Sequence, residues 1–189
     1  MARELVRQGG RSARIQKEVH AATRALLERQ ERSAITVPMI AEVAGVTPST
    51  IYRRWGDLGA LLADVASEEL RPISDPDDTG TTAGDLEAFV LQYAEEMSSK
   101  VGRALLRDVL AEEEDTAAVK CCRYTYDHLE TIAARSQARG EQPLEPLLVI
   151  DRVIAPICYH ILFSDHELTA DYCRQLLETL PGPLSRLTA

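Results

Sequence analysis

Ile15, Val19, Ala22, Leu26 and Leu27 recur at intervals of three and four, with Arg14, Lys17, Glu18, Arg24 and Glu28 on the positions between them. This spacing gathers the apolar side chains on one face of an α-helix. It predicts a first helix from about Ser12 to Glu31, after the Gly9-Gly10 pair. Thr36 then stands as an N-cap with Pro38 in the first turn, and Met39, Ile40, Val43 and Ala44 carry a short second helix that Gly45 can close in the left-handed conformation. Thr47 and Pro48 repeat the start signal at once, so a third helix begins there. Asp57 caps a fourth, carrying Leu58, Leu61, Leu62, Val65 and Leu70 until Pro72.

Residues 72–84, PISDPDDTGTTAG, have no apolar period and read as a linker or loop. Helical spacing returns at Asp85 with Leu86, Phe89, Val90, Tyr93 and Met97, and again with Leu105, Leu106, Val109 and Leu110, both read as core helices. The run Glu112 to Asp115 reads as a solvated helix end, not a metal site. A long helix with Val119, Cys122, Tyr126, Leu129 and Ala133 follows and ends at Gly140. Leu147 to Phe163 is apolar on more than one face, so it needs cover on several sides, and Pro156 inside it predicts a bend. Thr169 to Leu180 makes the last helix before the Pro-Gly-Pro at 181–183. The pattern is that of an all-α protein. It divides into an amino-terminal helix-turn-helix domain (1–71), the linker (72–84) and a helical domain (85–189).

Composition sharpens this in three ways. Of 189 residues only two are Phe and one is Trp, which fits helices better than sandwiches or barrels. No long uninterrupted apolar window and no apolar leader core stand out, so a cytoplasmic protein with no membrane partner is expected. The net charge of −9 is unevenly spread. Residues 1–55 hold ten basic against five acidic side chains, a net of +5, which leaves −14 for the remainder. A basic head on an acidic body suits a chain of which one end meets a polyanion.

Cys121, Cys122, Cys158 and Cys173 have neither metal-ligand nor disulfide-framework spacing and read as buried free thiols. His160 and His166 near Cys158 and Cys173 lack the i, i+4 pairing of a helical metal site, so no metal is expected. Nor is there a nucleophilic triad, a phosphate loop or a dinucleotide fingerprint, so neither a cofactor nor an enzyme is expected.

The candidate chemistry lies in GVTPSTIYRRW, residues 45–55. Two short helices joined by a glycine turn form a helix-turn-helix pattern. Thr47, Ser49 and Thr50 are small enough to let the helix approach a groove floor, while Arg53 and Arg54 have the reach for guanine or phosphate. Ile51 and Trp55 share the opposite face. The same pattern also serves as a plain αα-hairpin.

Residues 36–62, TVPMIAEVAGVTPSTIYRRWGDLGALL, resemble the DNA-binding signature of the tetracycline-repressor (TetR) family of bacterial transcriptional regulators. The matches are Thr36, Ile40, Ala41, Ala44, Gly45, Val46, Thr47, Thr50, Tyr52, Trp55, Leu61 and Leu62. The resemblance implies contacts with a double-stranded DNA operator from Thr36, Thr47, Pro48, Ser49, Thr50, Tyr52, Arg53 and Arg54. One departure is Leu58, where the family usually has a phosphate-contacting Lys; the basic arm of Arg3, Arg7, Arg11 and Arg14 is a candidate substitute.

Beyond residue 71, the DDTG segment, Arg139-Gly140-Glu141 and the stretch from Asp151 through Ala155-Pro156 to Phe163 are similar to a regulatory domain in one branch of that family. This implies a homodimer formed by the last two long helices, and a pocket in each carboxy-terminal domain for a small-molecule effector. Its expected lining is Phe89, Tyr93, Met97, Tyr124, Tyr126, His128, Tyr159, His160 and Phe163, which suits a mostly apolar or aromatic ligand. The resulting expectation is a repressor released from a near-palindromic operator by that ligand. The alternative is a helical ligand-carrier or protein-interaction module with a vestigial helix-turn-helix. An activator would use the same residues.

Overall fold

The computed structural model describes residues 2–111, 116–164 and 167–181, and every regular element among them is helical. The chain forms two compact units, one comprising Met1–Glu69 with Asp108–Ala117, the other Leu70–Arg107 with Ala118–Ala189. The sequence pattern had assigned everything after residue 84 to the second. The run Glu112 to Asp115 and His166 lie outside the described residues.

In the first unit, α1 (Ala2–Leu27) runs straight through Gly9-Gly10 and stops four residues before the expected end. Glycine costs a helix about 1 kcal/mol, a local penalty that helix-favouring neighbours outweigh. The end tightens instead, with Arg29 N–H bonding back three residues to the Leu26 carbonyl at 3.0 Å. A 3₁₀ turn (Arg32–Ala34) leads to α2 (Val37–Ala44), α3 (Pro48–Trp55) and α4 (Leu58–Glu69). Val19, Ala22, Ile35, Val37, Ile40, Ala41, Ile51, Leu61 and Val65 form their shared core. Asp108 pairs with Arg32 in this unit. Burial pushes the Asp108 carboxyl above its usual range while Arg32 pulls it back.

In the second unit, α5 (Thr82–Ser98) starts three residues earlier than expected. Thr81 caps it by accepting from Gly84 N–H at 3.1 Å. The next helix, α6 (Lys100–Leu110), begins almost without a gap. Gly102 permits this, because a Cβ there would collide with the Glu96 carbonyl and Met97 Cα. Core helix is too strong a description of α6: Val109 is buried, whereas Val101 and Leu110 are exposed.

α7 (Thr116–Ala138) also buries a different stripe from the one expected over its first half. Val119 and Cys122 are exposed and Tyr126 half-buried, while Leu129, Ile132 and Ser136 enter the core. Periodicity marks several faces of a long helix, and only packing selects one.

The apolar stretch at 146–163 is three pieces in one rod: α8 (Pro146–Val149), a π turn (Ile150–Ile154) and α9 (Ala155–Phe163). Pro156 has no N–H to give the Arg152 carbonyl and its ring crowds that oxygen. The helix answers by widening the preceding turn, so Ala155 N–H bonds to the Ile150 carbonyl five residues back. The rod is 18 residues long with mean hydropathy 1.6, enough by length and composition to cross a membrane, contrary to the sequence expectation. Its inner face is nevertheless core: Val149, Val153, Ile154, Ile157 and Ile161 pack with Leu86, Phe89 and Val90 of α5, Leu129 and Ile132 of α7, and Cys173 and Leu177 of α10 (Ala170–Glu178). Thr169 caps α10 by accepting from Tyr172 N–H.

Residues 76–85 are not a loose linker. Arg139 donates to Asp85 at 2.8 Å, Asp78 at 3.1 Å and Glu141 at 2.6 Å, and Arg135 donates to the Pro76 and Asp77 carbonyls. Asp85 is fully buried and also accepts from the Thr79 N–H and hydroxyl. Burial opposes its charge, but the Arg139 guanidinium and the two Thr79 donors outweigh it and hold the carboxyl below its usual range. Composition reveals none of this, because the arginines lie more than fifty residues away in sequence.

A depressed folded-state pKa gives stability that is present above the unfolded value, about 3.9 for Asp, and lost as pH falls through the folded value. Thermal melts from pH 7 to pH 3 should therefore show the wild type losing more stability below about pH 4 than Asp85→Asn, which has no charge to lose. Leu129→Ala should cost about 2–5 kcal/mol at neutral pH by chemical denaturation.

Candidate nucleic-acid interface

The turn between α2 and α3 forms as its residues require. Gly45 adopts φ 65°, and Val46 N–H closes the end of α2 on the Ala41 carbonyl at 2.9 Å. Thr36 and Thr47 hold the extended N-cap conformation of α2 and α3, yet neither side chain caps its own helix. Thr47 Oγ1 instead lies 2.9 Å from both Ser49 Oγ and Thr50 Oγ1, a cluster of hydroxyls at the start of α3. Two neighbouring helix starts thus keep amide donors without side-chain caps, the arrangement that receives phosphate oxygens.

The faces of α3 divide cleanly. Ile51 is completely buried, and Thr47, Pro48, Ser49, Tyr52 and Arg53 are exposed, with Thr50 half-buried. Asp57 accepts from Ala60 N–H at 2.8 Å and so starts α4 as its position predicts. Leu58 packs against the apolar core of the unit, which explains why an apolar residue fits where a phosphate-binding lysine is usual.

The two arginines separate. Arg53 has no hydrogen bond or ion pair with any described residue. Arg54 turns back on α1, with Nη1 on the Ser12 carbonyl and hydroxyl at 3.1 and 2.6 Å and Nη2 on Gln16 Oε1 at 2.6 Å, and its guanidinium lies 5.2 Å from the Trp55 ring centre. The sequence reading gave both the same task and missed this one. It also missed Asp64, on which Trp55, His20 and Gln16 converge. A lone Asp on a helix carries no signal that could have marked it. Arg14 and Lys17 are exposed on α1, Arg14 paired with Glu18, while the side chains of Arg3, Arg7 and Arg11 lie outside what is described.

The expected ligand residues do not gather into one pocket. Phe89 is buried in the carboxy-terminal core, with Tyr93 and Met97 packed against it and His128 edge-on to its ring at 5.5 Å. Tyr93 and Cys158 share a hydrogen bond of 3.0 Å, and burial, reinforced by the neighbouring thiols, keeps the phenol protonated. Tyr159 and Phe163 lie outside this group, 61% and 73% exposed. His160 sits between Tyr159 and Tyr172, and Tyr126 lies under Arg123. An open cleft of about 330 Å³ is lined by residues 71–75 with Tyr124, Asp127 and His128.

All four cysteines are free, but only Cys173 is buried and Cys122 is exposed, so buried thiols is an incomplete description. Burial raises the Cys121 thiol to about 11, with Cys122 adding to the effect. Among the described residues no group of three or more His, Cys, Asp or Glu side chains is placed to hold a metal.

A helix-turn-helix with a bare, hydroxyl-rich second helix, in a chain whose other unit is a separate helical body, defines a DNA-binding transcriptional regulator. Residues 20–65 match the bacterial regulatory proteins of the tetR family, and residues 76–180 match the tetracyclin repressor-like C-terminal domain. The chain belongs to the TetR family, whose members bind DNA operators and dimerise. It is similar to the HTH-type transcriptional regulator YdeS of Bacillus subtilis (strain 168), with 27% identity over 175 residues, 85% of each chain. It is also similar to the HTH-type transcriptional regulator AqdR of Rhodococcus erythropolis, with 28% identity over 135 residues, 69% of this chain and 65% of that one. A solved structure from Mesorhizobium loti MAFF303099, described as a TetR-family transcriptional regulator, overlays with a TM-score of 0.59 at 16% identity, covering 88% of this chain and 92% of that one. At that identity the overlay speaks for the fold.

Arg53→Ala should weaken binding to duplex DNA and reduce the slope of log affinity against log salt by about one, leaving the melting temperature unchanged. Arg54→Ala should lower the melting temperature as well, since it unties α3 from α1. Fluorescence titration at several salt concentrations, with parallel melts, separates the two.

Proposed function

We propose that the chain acts as a homodimeric repressor, reading a near-palindromic operator with two copies of α3 and releasing it when a small molecule binds. The observation that carries this reading is the division of α3 into a buried Ile51 and an exposed face of Thr47, Ser49, Tyr52 and Arg53. In this reading Thr36, Thr47 and Tyr52 hold phosphates, Ser49 and Thr50 approach base edges, and Arg53 supplies the longer reach. Arg54 acts indirectly by holding α3 to α1.

Dimerisation is supported by the outer face of the apolar rod, where Leu147 (59% exposed), Tyr159 and Phe163 stand in water in a single copy. A second copy laid against that face removes the liability. The effector is mostly apolar or aromatic and is received near Phe89, Tyr93, Met97 and His128 in the carboxy-terminal unit, where the Tyr93 hydroxyl meets the Cys158 thiol. An effector releases DNA to the extent that it binds the non-binding conformation more tightly.

Selection from a random duplex pool should return inverted repeats whose half-sites are about 34–36 Å apart, with affinity falling steeply as salt rises. Trp55 fluorescence should respond to that duplex, and an effector screen should then find compounds that reverse the response. Failure to enrich any sequence, together with salt-independent binding, would instead favour the carrier or interaction module. Phe163→Asp should shift the protein from dimer to monomer in sedimentation, with operator affinity lost and the monomer still folded.

A further inference from the structure

Asp64 lies on α4, and its Oδ2 makes hydrogen bonds with three side chains of two other helices: Trp55 Nε1 at 2.9 Å, His20 Nε2 at 3.0 Å and Gln16 Nε2 at 3.2 Å. Indole and amide nitrogens only donate, so Oδ2 accepts from Trp55 and Gln16, and as a carboxylate it accepts from His20 as well, in the tautomer that carries the proton on Nε2. Gln16 is held at both ends, its Oε1 accepting from Arg54 while its Nε2 donates to Asp64. His20 is buried, with its ring centre 6.0 Å from that of Trp55. Through Trp55 and Arg54 the last turn of α3 is tied to α1 and α4 by one carboxylate and one amide.

What this adds to the apolar contact of Ile51 is direction. Hydrophobic contact has no preferred angle, so a helix held at one buried residue is free to rock and roll about it. Hydrogen bonds weaken steeply away from their axis, so the Trp55 bond to Asp64 on α4 and the Arg54 bonds to Ser12 and Gln16 on α1 together restrain both, while Gln16 and His20 hold the Asp64 carboxylate in place. Long flexible arginines tolerate a few degrees of error when they hold phosphates. The short hydroxyls of Ser49 and Thr50 do not, because their reach ends at the base edges immediately in front of them.

We propose that Asp64 is the positioning residue of the DNA-reading helix: it sets the angle at which α3 meets the groove, and thereby governs discrimination between operator and other DNA more than affinity for DNA as a polyanion. This rests on the DNA-binding reading above. The test uses the full chain, the operator obtained by selection and a scrambled duplex of the same length. Asp64→Asn should lose tenfold or more in operator affinity and less than twofold on the scrambled duplex, whereas Arg53→Ala weakens both. Trp55→Phe, which removes the indole donor and keeps a ring, should collapse the ratio in the same way and decides the matter if Asp64→Asn fails to fold.

One tryptophan in the chain gives one indole N–H resonance in a ¹⁵N spectrum, and without any DNA it should move upfield in Asp64→Asn. An unmoved indole signal, an unchanged operator ratio in both variants, or equal losses on both duplexes that track the melting temperature would each overturn the assignment. A wild type that binds no duplex sinks the DNA-binding reading and this proposal with it. The indole shift then still reports whether the Asp64 contacts form.

Discussion

A helix of eight residues does not hold itself together in water, since nucleation costs more than two turns of hydrogen bonds return. Everything α3 presents to solvent therefore depends on what it buries and on what ties its end. Ile51 supplies the first, completely enclosed among Val19, Ile40, Leu61 and their neighbours. Trp55 and Arg54 supply the second, reaching Asp64, Gln16 and Ser12. The exposed hydroxyls and Arg53 are left without structural duties, which is the condition for meeting a ligand. Leu58 belongs to the same economy of roles: it reinforces the core shared by Ile51 and Leu61.

The carboxy-terminal unit solves a different problem with opposite means. Its main element is an apolar rod that carries a proline, and the backbone accommodates that proline by widening one turn into a π turn. Val149 and Val153 before Pro156 and Ile157 and Ile161 after it serve one continuous core. At the edge of that core the polar clamp of Arg135 and Arg139 fixes residues 76–85, with Asp85 buried beneath it. A buried carboxylate on this scale is tolerated only because each of its oxygens has a donor. One unit presents a rigid reading face, the other encloses aromatic and thiol side chains, and the function proposed for the chain needs both.

Much of this was legible in the residue pattern, and the failures share a cause. Gly45, Pro48 and Asp57 behave as their types dictate, and Thr47 takes the N-cap backbone conformation though not the side-chain bond, because a turn or a helix start is settled within a few residues. Gly9-Gly10 misled because helix propensity is a weak local preference, and the tolerated pair sits inside α1. Val119 and Cys122 misled because a 23-residue helix offers more than one apolar stripe. The candidate effector residues were chosen by type, and packing then divided them, with Phe89 and Tyr93 against the core and Tyr159 and Phe163 on the surface. Arg54 and Asp64 carried no signal at all, since their partners lie nine to forty-eight residues away.

The sequence by itself determined the helices, the glycine turn, the basic head and the family signature, because those depend on local backbone chemistry and on composition. Only the tertiary structure decided which arginine is bare and which is bound, that the apparent linker is clamped, and that an unremarked aspartate joins three helices. Those outcomes depend on which side chains meet across the fold. Directional polar contacts between distant residues leave no periodicity behind them.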